Sequence, residues 1–126
     1  MVQRIAEGFA AADLPPLLPA VTQPLWDASD GMRLTELAAM AGMTKQSMGE
    51  LVDQMVAAGY VERVADPTDG RARRVRLTRK GRRAGELARE IVRQVQAEWA
   101  ERVGAARIRA LEETLRAIVA TEDQTS

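Results

Sequence analysis

Apolar residues recur every three or four positions through most of this chain, the spacing that gathers them on one face of a helix. Ile5 and Phe9 predict a short helix in VQRIAEGFAAA, ending before the Pro15-Pro16 pair. Leu17, Leu18, Val21, Leu25 and Trp26 predict a second, which Pro16 or Pro19 can start, Asp30-Gly31 can stop and Pro24 should kink. In LTELAAMAGM, Thr35 suits an N-cap, Leu34, Leu37, Ala38 and Ala41 share a face, and Gly42 ends the run. The next segment, TKQSMGELVDQMVAAG, restarts on the capping residue Thr44 and is expected to bury Met48, Leu51, Val52, Met55 and Val56 before Gly59. Two short helices about a Gly-containing turn form a helix-turn-helix, a pattern that purely structural hairpins share.

The period then changes. YVERVA and RVRLT alternate apolar and polar residues around DPTDGRAR, whose Asp-Pro and Asp-Gly pairs mark a hairpin loop, so a two-stranded ribbon is expected. Thr78 can cap a long helix carrying Leu87, Ile91, Val95 and Trp99 at steps of four. A last helix carries Ile108, Leu111, Leu115, Ile118 and Val119, and residues 122–126 read as a flexible tail. Tyr60, just after Gly59, reads as an anchor of the ribbon on the core rather than a ligand platform. The fold class is mostly α with a small β-ribbon.

Composition narrows the chemistry. The chain has 126 residues, 46% hydrophobic and 29% charged, enough for one folded domain. It contains no cysteine and no histidine, which excludes thiol and imidazole catalysis and most transition-metal sites. No cofactor or metal is expected. No segment approaches the roughly 20 apolar residues of a membrane span, and Met1 to Ala12 holds no signal-type apolar run, so a cytoplasmic location without membrane attachment is expected. The net charge is +0, yet eight of the 18 basic residues fall between Arg71 and Arg83, where there is no acid. Charge so concentrated is the footprint of a chain that meets a polyanion.

The stretch Leu34 to Gly81 resembles the DNA-binding core of the MarR family of bacterial transcription regulators. The resemblance rests on the helix-turn-helix followed by Asp66, Asp69, Arg71, Leu77, Thr78 and Gly81 at the spacing of that family's wing. It implies a winged helix-turn-helix with flanking dimerisation helices. Residues 1–30 would form shortened N-terminal helices on the dimer and effector side, 31–84 the DNA-binding core and 85–121 the C-terminal dimerisation helices. The implied function is sequence-specific binding of a pseudo-palindromic duplex by a homodimer, with the role of a repressor released by a small aromatic effector. The effector pocket would lie near Phe9 and Trp26. The N-terminal helix is shorter than the family's usual one.

The expected DNA-binding set is Thr35, Thr44, Lys45, Gln46, Ser47, Arg71, Arg73 and Arg74. At the start of a recognition helix, Gln46 can pair with adenine and Lys45 can donate to guanine, while Thr44 and Ser47 suit phosphates. Thr44 also suits a simple N-cap. Arg71 sits at the hairpin tip, where a guanidinium can enter the narrow minor groove. Arg73 and Arg74 are neighbours on a strand and point to opposite faces; the two-residue period favours Arg73 for the side of Arg71. Asp66 and Asp69 read as wing supports, since their charge would repel phosphate. Arg76, Arg79, Lys80, Arg82 and Arg83 read as general contributors to the potential. Two other readings compete: a winged-helix module for protein or RNA, and a phosphate-handling enzyme using the Gly70 loop, which lacks a phosphate-binding glycine motif and clustered carboxylates.

Overall fold

The computed structural model describes residues 1–125. In chain order the elements are α1 (Val2–Ala11), α2 (Pro19–Leu25), β1 (Met32–Arg33), α3 (Leu34–Ala41), α4 (Lys45–Ala57), β2 (Val61–Ala65), β3 (Arg73–Leu77), α5 (Arg79–Val103) and α6 (Ala105–Thr125). Pro19 opens α2, where its missing N–H is one of the orphan donors anyway. Pro24 falls one residue before the end of that seven-residue helix, so it helps terminate α2 instead of kinking a longer one.

The sheet holds three strands where the alternation predicts two. β3 lies in the middle, antiparallel to β2 on one side and to β1 on the other, with Met32 opposite Val75 and Arg33 opposite Arg74. This extra strand also corrects the cap of α3. The chain leaves β1 at Arg33 in extended conformation and turns straight into the helix, so Arg33 is the N-cap and Thr35 is the second helical residue. Glu36 Oε1 accepts from the Arg33 N–H at 3.4 Å, a weak closure of that turn.

Between α3 and α4 the chain turns on Gly42, whose φ of 65° is left-handed and costs a residue without Cβ little. The Met43 N–H returns to the Ala38 carbonyl at 2.9 Å and satisfies an end group of α3. Thr44 then caps α4 as its sequence suggests, its Oγ1 accepting from the Ser47 N–H at 3.0 Å. Met48, Val52 and Met55 are buried and Leu51 half-buried, but Val56 remains 38% exposed, because α4 meets its neighbours mainly along the seam facing α2, α3 and β2. Ala41, at the last position of α3, is likewise exposed.

The core joins Phe9, Val21, Leu25, Leu37, Met48, Val52, Tyr60, Val75 and Ile91. Tyr60 is fully buried, its hydroxyl donates to the Pro15 carbonyl, and burial pushes its phenol pKa up. It anchors the ribbon, as its position after Gly59 suggests. Thr78 caps α5, accepting from the Gly81 N–H at 3.0 Å. Gly81 lets α5 start directly against the strand end: a Cβ there would stand 2.0 Å from the Tyr60 carbonyl oxygen.

α1 crosses α5 where Gly8 meets Ile91, and Arg4 pairs with Glu98 through two contacts of 2.8 and 3.1 Å. α6 packs mainly on α5 and stays helical to Thr125, so the segment read as a flexible tail from residue 122 continues the helix. Ser126 lies outside the described residues. Trp99, Val103, Leu111, Leu115, Ile118 and Val119 along α5 and α6 are 39 to 56% exposed.

Candidate nucleic-acid interface

The first turn of α4 presents Lys45, Gln46 and Ser47, all exposed, with no acidic residue among them. Neither Lys45 nor Gln46 has a side-chain partner among the described residues, and Met48, the next residue, turns into the core. The sequence therefore splits within one turn between a hydrogen-bonding rim and a buried base. Thr35 is exposed at the start of α3.

The wing is built around two aspartates with different tasks. Asp69 shapes the tip: its Oδ1 accepts from the Arg71 N–H at 3.1 Å and its carbonyl from the Ala72 N–H at 3.0 Å. Asp66 closes the base. Its N–H donates to the Ala72 carbonyl at 3.0 Å, and its side chain is fully buried. Oδ1 accepts from the Thr68 N–H at 2.9 Å and the Thr68 hydroxyl at 2.7 Å. Oδ2 takes Arg33 Nε at 2.8 Å and lies 3.1 Å from Arg74 Nε. The Thr68 donors, followed by the two guanidinium groups, hold the Asp66 carboxyl far below the usual carboxylate range, against the opposing pull of burial. Arg33 was not among the residues singled out from sequence; nothing local marks it, because its partner is 33 positions away.

The basic run is two populations. Arg74 is held by Asp66, Arg76 by Glu62 at 2.7 Å, Lys80 by the Ala58 carbonyl at 2.8 Å, and Arg82 by the Trp26 carbonyl at 3.2 Å. Arg71, Arg73, Arg79 and Arg83 are exposed and have no side-chain partner among the described residues. The separation of Arg73 from Arg74 follows the alternation of β3, but what decides it is the buried carboxylate that claims Arg74. Lys80 and Arg82 are not interchangeable contributors to a potential, since each closes a contact between elements.

Phe9 and Trp26, the residues read as an effector pocket, are both packed within the fold. Phe9 is 2% exposed within the core. The Trp26 ring packs on Gly85 and is covered by the Arg89 guanidinium, 4.0 Å from its centroid. A separate groove of about 510 Å³ opens between α2 and the α3–α4 turn, lined by Pro19, Gln23, Pro24, Met40 and Met43 among others. Among the described residues no cluster of acidic side chains could hold a metal ion, and no helix is long and apolar enough to cross a membrane.

A helix-turn-helix backed by a three-stranded sheet whose last hairpin projects as a basic wing defines a winged helix-turn-helix protein. The MarR family model matches residues 27–72, from the loop before β1 to the wing. Over that stretch, a little over a third of its length, the chain is similar to the MarR family. Rv1404 from Mycobacterium tuberculosis is 25% identical, with a TM-score of 0.76 over 97% of this chain and 84% of its own. The transcriptional repressor CouR bound to a 23-mer DNA duplex is 26% identical, with a TM-score of 0.71 over 94% of this chain and 83% of its own. The multiple antibiotic resistance repressor MarR, 20% identical with a TM-score of 0.70 over 92% of this chain and 84% of its own, shares the fold. No curated protein matches the chain in sequence.

Proposed function

We propose that this chain is a MarR-type transcription regulator that binds a pseudo-palindromic DNA duplex as a homodimer and represses transcription. The observation that carries this reading is the sorting of its polar residues. At the start of α4 and on the wing, Lys45, Gln46, Arg71 and Arg73 are exposed and have no side-chain partner among the described residues, while Arg74, Arg76, Lys80 and Arg82 are tied into the fold. Lys45 and Gln46 would read base edges in the major groove, Thr35, Thr44 and Ser47 would face phosphates, and Arg71 would enter the minor groove with Arg73 beside it. The likeness to CouR, a repressor seen on a 23-mer duplex, supports the same mode.

The apolar stripe of α5 and α6 supports a two-fold dimer, which would place its recognition helices one DNA turn, about 34 Å, apart. A cytoplasmic location follows from that role. For an effector, a small aromatic acid or its thioester is the class to test, since CouR from Rhodococcus jostii RHA1 has been solved with p-coumaroyl-CoA. Any such ligand near Trp26 must displace or share the Arg89 stack.

The deciding experiment is duplex selection from a random-sequence pool, followed by affinity measurement across salt. Each neutralised phosphate should add about −0.9 to the log-log slope. An interaction indifferent to salt, or the absence of any selected duplex, would remove the DNA-binding reading.

A further inference from the structure

Arg33 stands where three parts of the fold meet. It is the last residue of β1, the N-cap of α3 and the Nε partner of Asp66 at the base of the wing. β1 is only two residues long, so the backbone ties between it and the wing strand are few. In the antiparallel register Arg33 lies directly opposite Arg74. Two guanidinium groups so placed repel one another unless an anion separates them. Asp66 Oδ2 supplies that anion, 2.8 Å from one Nε and 3.1 Å from the other. The carboxylate is fully buried, whereas the Arg33 side chain is 41% exposed and reaches in from the helix-turn-helix side.

We infer that Arg33 is a positioning residue for DNA recognition: through Asp66 it sets the angle of the wing relative to the helix-turn-helix, and thereby the register between minor-groove and major-groove contacts. The inference rests on the DNA-binding reading above and adds a residue outside the contact set. The mechanism is a lever. Arg71 is the residue next to Ala72, whose carbonyl accepts the Asp66 N–H, so a tilt of the hairpin at Asp66 is carried directly to the long Arg71 side chain. A tilt that displaces the Arg71 guanidinium by about 1 Å already exceeds what a hydrogen bond tolerates. Thr68 and Arg74 hold the carboxylate from within the wing's own hairpin, and Arg33 ties it to the N-cap of α3.

A double-mutant cycle tests this, using the duplex that the parent protein selects from a random-sequence pool. Arg33→Gln should weaken binding by between about fivefold and a hundredfold, the span of one good arginine contact. In an Arg71→Ala background the same change should have a clearly smaller effect, because the chief wing contact it would have positioned is gone and Arg73 alone remains. Arg33→Lys, which keeps a cation in reach of Asp66, should recover most of the parent affinity and serves in the same cycle if Arg33→Gln melts early. Unchanged binding by Arg33→Gln, or an effect that persists in full without Arg71, overturns the inference while leaving the regulator reading intact. A parent that selects no duplex overturns both.

Discussion

Replacing Leu115 by Glu tests the proposed homodimer most directly. Leu115 lies on α6 with 53% of its surface exposed, beside Leu111, Ile118 and Val119, and α6 contacts its own chain mainly through α5. Burying a whole leucine yields about 1.5 to 3 kcal/mol, so covering the exposed half contributes about 1 kcal/mol per subunit. Two-fold symmetry uses the residue twice, giving about 2 kcal/mol for the pair. A carboxylate in its place would also have to be stripped of water against an apolar partner, which adds at least about as much again. The dimer should therefore weaken by a factor on the order of 1,000, taking about 1.4 kcal/mol per tenfold. Sedimentation velocity across a concentration series reads the shift from dimer to monomer. Affinity for a two-half-site duplex should fall with it, since each lobe then binds alone. A variant whose dimer dissociates within about threefold of the parent would refute α6 as the seam and leave the exposed stripe without that role.

Other consequences concern the fold itself. Gly81→Ala would push a methyl group to 2.0 Å from the Tyr60 carbonyl, which already accepts the Thr78 N–H at 2.9 Å, so the start of α5 must shift. Urea unfolding at fixed protein concentration should show a loss of about 3 kcal/mol, at the upper end of overpacking costs. Tyr60→Phe removes the hydroxyl that satisfies the Pro15 carbonyl and should cost about 1 kcal/mol in the same assay. Because the folded carboxyl of Asp66 titrates below its unfolded value, the stability it contributes is complete above about pH 4 and declines as pH falls toward the folded value. Asp66→Asn should be less stable than the parent at pH 7 and should show a flatter acid limb below about pH 4, read by thermal melting across pH.

Much of this architecture is legible from local signals. Thr44 and Thr78 cap the helices they precede, Gly42 ends the one before it, and Tyr60 enters the core, because each depends on neighbours a few positions away. What escapes the sequence is set by register. β1 is too short to show a period of two, and it exists because Met32 and Arg33 find Val75 and Arg74 more than 40 positions later. That strand moved the cap of α3 from Thr35 to Arg33 and brought Arg33 to Asp66. The division of the basic run has the same origin. Charge counting shows eight cations in a row of thirteen positions, but only the folded chain shows that Asp66, Glu62 and two backbone carbonyls occupy half of them. Val56 is a smaller instance: helical period places it with Val52 and Met55, yet it lies at the edge of the packed seam and stays 38% exposed.

The two tryptophans sit in unlike surroundings, and this gives the protein a pair of intrinsic fluorescent reporters. Trp26 is stacked under Arg89 on Gly85, where the helices preceding β1 meet α5, while Trp99 lies 39% exposed at the far part of α5. Quenching by a soluble anion such as iodide would reach the second more readily than the first. A titration that shields Trp99 reports association of two chains, and one that changes Trp26 alone reports an event at the junction between helices. With either residue replaced by Phe, the two events become separately observable in the same molecule.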